Sequence, residues 1–308
     1  MRQRRRRARQ SLAIRCSGPC AGQWRDYATG EYGDALDLVA AVRFGGDLGQ
    51  AMDWARSWLR ADSPAQVCAA ATRVIEWPDK SERERQVRFR ASAIRLFERA
   101  SPDIRGTPVE SYLAARGIDL RALGRVPAAL RFCGDCWCGE VRRGLPAMLA
   151  AITDPGGGHI ATHRTWLCRD GSGVWRKARL QAPKKTYGRC AGGFVPLWRG
   201  TAHCPLRDAA PGETVVIAEG IETALSIVVA VPELRVLATG SLAGLKLIEL
   251  PPAVTRVIIA GDRDDGEPQQ RQLLAARDRL LTRGLAVDVV LPDVGKDFND
   301  MLLAGAQP

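Results

Sequence analysis

From Gly212 onward the chain keeps one rhythm: a short apolar run rich in β-branched residues, then an amphipathic stretch, four times over. Strands are predicted at 214–218, 235–239, 255–260 and 286–291, and helices at 221–230, 242–248, 269–283 and 298–304. Near-continuous apolar strands separated by helices can bury both faces only in a parallel sheet with helices on each side. The fold expected is therefore α/β, with a Rossmann-like, mainly parallel four-stranded sheet over 211–308, and a basic α+β domain before it.

Acidic residues sit where these strands end. Glu219 follows the first, Asp262 and Asp264 the third, and Asp297 and Asp300 the fourth. In open α/β sheets ligands bind at the carboxyl ends of strands, near the point where strand order switches, so clusters distant in sequence meet there. Each cluster alone reads equally well as a cap for the next helix. Three in succession, each after a strand, point instead to a cation, because gathered carboxylates repel one another without one. Hard oxygen donors suit Mg²⁺, with Mn²⁺ as a substitute, and such an ion neutralises a phosphoryl group in transit. Gly220 and Gly266 let the backbone approach closely beside the acids. Arg263 and Lys296, interleaved with them, are candidate phosphate contacts.

Charge divides the chain the same way. There are 9 basic against 14 acidic residues from Pro211 onward, and 36 against 20 before it. A basic body joined to an acidic module suits a polyanion held by one part while the other holds metal. Residues 1–10 carry six arginines and no acid, and read as a disordered arm. Such an arm grips phosphates nonspecifically, and an over-extended reading frame gives the same run. No apolar run reaches the ~18 residues of a bilayer span, and no signal-peptide core is present, so a cytoplasmic protein is expected. The nine scattered cysteines read as free thiols.

Before the acidic module the organisation is less regular. Residues 11–60 read as a small unit with strands at 11–16 and 23–27, a turn at 29–34, and helices over 36–42 and 48–59. Residues 61–80 read as a linker. The basic domain, 81–210, opens with a helix over 81–100 and continues with another starting at Thr107-Pro108. It then turns strand-like, with strands at 147–153, 160–167 and 193–197. Cys133-x-x-Cys136-x-Cys138 has a ligand-like gap, and His159, His163 and Cys168 can complete a zinc site, although ordinary thiols fit as well. No Gly-x-x-x-x-Gly-Lys-Ser/Thr loop is present, so no fused helicase motor is encoded.

The tail resembles the Toprim domain of bacterial primases, topoisomerases and some nucleases, through Val-Ile-Ala-Glu-Gly-Ile-Glu-Thr-Ala-Leu-Ser, Asp262-Arg263-Asp264 and Asp297-Phe298-Asn299-Asp300. It is most similar to the primase-like proteins of phages, plasmids and integrated elements. The resemblance implies that Glu219 is a general acid/base and that Asp262, Asp264 and Asp297, with Asp300 beside it, hold Mg²⁺. Upstream, His163-Arg164-Thr165-Trp166-Leu167 and Lys184-Lys185 look like the segment preceding Toprim in those proteins. By that likeness Arg164, Lys184 and Lys185 contact phosphates and Trp166 stacks on a base. A packed β-layer with solvated lysines fits the same residues. The segment from Gly22 to Leu38 resembles the second half of a primase zinc-binding domain, but the paired ligand spacing around Cys16 and Cys20 is missing. A degenerate or truncated module without zinc is expected.

Taken together, the resemblance implies a DNA primase-like nucleotidyltransferase for mobile-element replication. Its partners would be single-stranded DNA, nucleoside triphosphates and a separate replicative helicase, with no membrane. Two alternatives share the same residues: a Toprim nuclease with water as nucleophile, and a non-catalytic DNA-binding accessory protein of replication or recombination.

Overall fold

The computed structural model describes residues 12–16, 21–26, 32–59, 80–263 and 266–305. The chain divides into two compact units, 1–85 and 86–308. The arm at 1–10, Cys20 and nearly all of the expected linker lie outside the described residues, as does the first half of the turn at 29–34.

The first unit carries an antiparallel sheet in the order β1 (Leu12–Ile14), β2 (Trp24–Asp26) and β3 (Tyr32–Gly33). Two helices follow, α1 (Ala35–Arg43) and α2 (Leu48–Leu59). Asp34 starts α1 as a reciprocal cap. Its Oδ1 accepts from the N–H groups of Leu36 and Asp37, and the Asp37 carboxylate accepts from the Asp34 N–H. Among the described residues of this unit, Trp24, Ala40 and Ala51 are the buried apolar ones.

The second unit begins within α3 (Lys80–Arg99), continues through α4 (Pro108–Ala114), and then builds two sheets. The first is antiparallel, in the order β4 (Leu130–Cys138), β5 (Arg143–Thr153), β6 (His159–Arg169), β7 (Trp175–Lys177). A further strand, β8 (Lys184–Tyr187), also pairs with β6. The second sheet contains β9 (Val195–Arg199), β10 (Glu213–Ala218), β11 (Arg235–Ala238), β12 (Val254–Ala260) and β13 (Ala286–Val290), in the order β13-β12-β10-β11-β9. The helices of this half are α5 (Ile221–Ala230), α6 (Leu242–Leu247), α7 (Glu267–Thr282) and α8 (Phe298–Gly305).

The four parallel strands and four helices expected from the rhythm are all present, each within a few residues of its expected bounds. The sheet has one strand more than expected. β9 runs antiparallel along β11, so the edge of the parallel sheet is supplied by a segment placed in the preceding domain. β4 was not anticipated, because Gly134-Asp135 interrupts its alternation; the ladder to β5 slips there by one residue.

Alternation along the strands explains how the layers pack. Val215 and Ile217 of β10 face α6 and α7, joining Leu237, Val257, Ile259, Leu245 and Leu280. Val216 and Ala218 face the other way, into a core shared with Ile221, Leu225 and Val228 of α5. That core continues through Tyr112 and Leu113 of α4 to Met148, Ala150 and Leu167 of the antiparallel sheet. The far side of the antiparallel sheet presents Ala147, Leu149 and Trp166 to Phe97 and Ala100 at the end of α3. A bridge between Thr153 and Phe194, with both N–H···O bonds made, joins β5 to the approach of β9.

Leu237 has no solvent exposure and sits in the α6/α7 core. Truncation to alanine should cost ~2–5 kcal/mol, read as a lower midpoint with unchanged slope in urea unfolding followed by tryptophan fluorescence.

Candidate active site

The parallel strands β13-β12-β10-β11 put the first strand beside the third, so the order switches between β10 and β12. Glu219 and Asp262 lie just beyond the ends of those two strands, where Ala218 pairs with Ala260. A crevice at such a switch is where a doubly wound sheet takes its ligand.

Each acidic loop is held by backbone bonds that prolong the ladders. The Gly240 N–H donates to the Glu219 carbonyl over 2.8 Å, and the Gly261 N–H donates to the Val290 carbonyl over 2.9 Å. Gly240 has φ +79°, and a β-carbon there would stand 3.6 Å from Nδ1 of His163. The positive φ calls for glycine, and it lets the chain turn there beside His163 of β6. Glu219 is half-buried and immediately precedes α5, whose positive end favours a carboxylate. The Arg263 N–H donates to the Lys296 carbonyl over 2.7 Å, which ties the loop after β12 to the loop before α8. Asp262 is half-buried, and its Oδ1 is shielded from solvent.

Asp297 has a structural task as well. Its Oδ1 accepts from the N–H groups of Asn299 and Asp300, so it caps α8, while Asp300 accepts from the Lys296 N–H. Asn299 is fully buried and donates to the Arg116 carbonyl and to Oγ of Ser226, fastening α8 to α5. Asp264 lies outside the described residues. Among the described residues no three His, Cys, Asp or Glu side chains come close enough together to hold a metal. In donor type the set fits a hard divalent cation: carboxylate oxygens from Glu219 and Asp262 at the switch point, one of them withdrawn from water.

The basic candidates separate. Successive strand residues face opposite ways, and directly paired residues share a face. Lys184 pairs with Thr165 and shares the face of His163, toward the parallel sheet. Lys185 pairs with Arg164 on the other face, and Arg164 stacks over Trp166 and Tyr187 at 4.9 and 5.2 Å. Trp166 is only 3% exposed, and its Nε1 donates to the Cys136 carbonyl. Base stacking on Trp166 is thereby corrected: the ring is a core residue covered by Arg164. Arg263 and Lys296 are exposed at the acidic loops, with Arg263 Nη1 donating to the Asp293 carbonyl.

The residues that sequence reasoning missed form a buried ion pair. Oε1 of Glu222 accepts from the Tyr112 hydroxyl over 2.6 Å and lies 3.0 Å from the Lys177 ammonium. Burial raises the Glu222 carboxyl, but Lys177 first, then Tyr112 and Lys184, more than reverse this and hold it at about 2. Burial lowers the Lys177 ammonium, partly countered by Glu222, and raises the Tyr112 hydroxyl, which Glu222 raises further. His163 is lowered to about 4, chiefly by burial and then by Lys184, so the ring is neutral near pH 7. Glu222 belongs to the Glu-Gly-Ile-Glu-Thr string, but its first-turn position on a helix reads as an ordinary dipole partner. Only the tertiary contacts from α4 and β7 reveal its role.

A parallel sheet with acids at the carboxyl ends of its first and third strands is the architecture of the Toprim class. Residues 214–307, a little under a third of the chain, match the Toprim domain family and form a C-terminal Toprim domain. Residues 87–197 match a domain family of unknown function, DUF7146. Solved structures similar to the chain include the primase fragment of the bacteriophage T7 primase-helicase protein. It is 18% identical over 64% of this chain and 69% of its own, with a TM-score of 0.42. The Aquifex aeolicus primase, as its zinc-binding and RNA polymerase domains, is 14% identical over 92% of this chain and 70% of its own, at 0.45. The E. coli primase catalytic core is 13% identical over 71% and 75%, at 0.44. No curated protein matches the chain. Among the described residues no helix is long and apolar enough to cross a membrane.

Two outcomes separate structural from chemical roles. Because Glu222 titrates near 2 in the folded chain against an ordinary 4.5, its contribution to stability is complete above about pH 4.5 and is lost as pH falls through about 2. Glu222→Gln should therefore flatten the acid limb of stability against pH, while costing on the order of 3 kcal/mol at neutral pH by leaving Lys177 unpaired. Asp297→Ala should cost ~1 kcal/mol of thermal stability through loss of the α8 cap, whereas Asp262→Ala should leave the melting temperature unchanged or raised.

Proposed function

We propose that the chain is a primase-type nucleotidyltransferase that joins nucleoside triphosphates into short primers on single-stranded DNA, in the replication of a mobile element. The observation that carries this reading is the Toprim domain with Glu219 and Asp262 at the switch point of its sheet. Mg²⁺ would be held by Asp262, Asp264 and Asp297 together with substrate oxygens, supplying charge neutralisation at the α-phosphate of the incoming nucleotide.

The chain's own residues then divide the work. Glu219, beside the positive end of α5, takes the proton of the attacking 3′-hydroxyl. Lys184 projects toward the Toprim side and balances the triphosphate. Arg263 and Lys296 flank the acids and position phosphates as pyrophosphate leaves. Lys177 is fixed by Glu222, which Tyr112 holds in turn, so the ammonium is ordered before any ligand arrives. His163, neutral, lies beside Gly240, whose N–H holds the Glu219 carbonyl. Template and a separate replicative helicase are the partners this activity requires.

Single-stranded DNA, labelled nucleotides and Mg²⁺ are incubated with the wild type, Glu219→Gln and Asp262→Ala. Short labelled oligomers from the wild type, reduced at least ~100-fold in both variants, are expected. Shortened DNA without new oligomers would make the protein a Toprim nuclease. An Asp262→Ala protein of undiminished activity would remove the assignment, and an inert wild type would leave an accessory DNA-binding role.

A further inference from the structure

The cysteine cluster singled out in the sequence is not used by the Toprim site, and the bulge in β4 explains its geometry. Positions three apart on a regular strand face opposite ways. Here Cys133 pairs with Ala147 and Cys136 with Leu145, three steps on β4 against two on β5. The extra residue turns Cys133 and Cys136 onto the same face, where both join the core around Trp166, Leu149 and Phe97. A side chain at 144 would collide with Asp135, so Gly144 permits the bulge to close.

The two thiols face the same core and are unequal. Cys136 is buried, whereas Cys133 is half-buried. The neighbouring Cys136 thiol lowers the Cys133 thiol well below its usual range against the effect of burial, and the Asp135 backbone adds to that. Cys133 and burial together raise Cys136. Both cysteines are free thiols, and no third ligand stands close enough to make them a metal site among the described residues. A half-buried, readily ionised thiol beside a buried, protonated one on the same strand face is the division of labour needed for thiol–disulfide exchange.

We propose that Cys133 and Cys136 form a reversible dithiol–disulfide couple, with Cys133 attacking and Cys136 resolving, that exchanges with small disulfides of the glutathione type. In the first step the Cys133 thiolate attacks one sulfur of oxidised glutathione. That S–S bond breaks, one glutathione leaves as thiolate, and a mixed disulfide remains on Cys133. Cys136 then gives its proton to solvent and attacks the Cys133 sulfur, expelling the second glutathione. Two protein thiols are oxidised to one disulfide, and one glutathione disulfide is reduced to two thiols. Cys138 and Cys168 line the same core without taking part.

The test uses the full chain equilibrated in oxidised and reduced glutathione, quenched with an alkylating agent and digested with trypsin. Cleavage after Arg131 and Arg142 places Cys133, Cys136 and Cys138 on one peptide, so the alkyl group reports which thiol stayed free. The expected wild-type product carries one alkyl group, on Cys138, and an internal disulfide that dithiothreitol removes completely. Cys136→Ser should instead accumulate the glutathione adduct on Cys133, and Cys133→Ser should lose both products. Three alkylated thiols at every glutathione ratio, or an alkyl group on Cys133 or Cys136 with Cys138 oxidised, would overturn the proposal. Because the wild-type peptide decides this alone, an unstable variant leaves the result intact.

Discussion

A single buried carboxylate holds the two sheets of the second unit in register. Glu222 opens α5 on the Toprim side, and its partners, Tyr112 and Lys177, come from α4 and β7 on the other. An ionised carboxylate at such depth is tolerable only while both partners remain, because an unpaired charge there loses its hydration with nothing in return. The pair therefore specifies one arrangement of the sheets over the many that apolar contacts alone would permit. Glu219 sits three residues before Glu222, so that arrangement also fixes where Glu219 stands.

The acids themselves show how one residue answers to both stability and chemistry. Asp297 caps α8 with one oxygen, and Asp300 closes the turn through Lys296. Capping and metal binding are often weighed as rival readings of an acid after a strand. Here the cap orients the loop that carries the acid, and the second oxygen of Asp297 makes no bond to that cap. Asn299 anchors the same turn from beneath through Arg116 and Ser226. The motif Asp-Phe-Asn-Asp thus encodes a defined loop.

How much of this was legible follows from which interactions are local. The parallel strands and their helices were readable because apolar runs with β-branched residues and helical spacing are properties of consecutive residues. Glu219 and Asp262 were readable because strand ends converge by topology. Which faces Lys185 and Trp166 take was not readable, because proximity in sequence says nothing of a strand residue's face until register is known. β4 was missed because its bulge breaks the alternation that strand recognition depends on. Glu222, Tyr112 and Lys177 were invisible as a set, since 110 residues separate Tyr112 from Glu222 and no local pattern marks a buried pair.

The antiparallel strand β9 has a consequence for how this fold can be shared among proteins. By sequence the Toprim family begins at residue 214, yet the sheet it builds is finished by residues 195–199. A cut at the family boundary would leave the backbone of β11 unpaired along one side, open to any passing strand. The transferable piece is thus longer than the homologous one. Recombination that shuffles this module intact must carry its guard strand with it, or recruit a substitute from the new host chain.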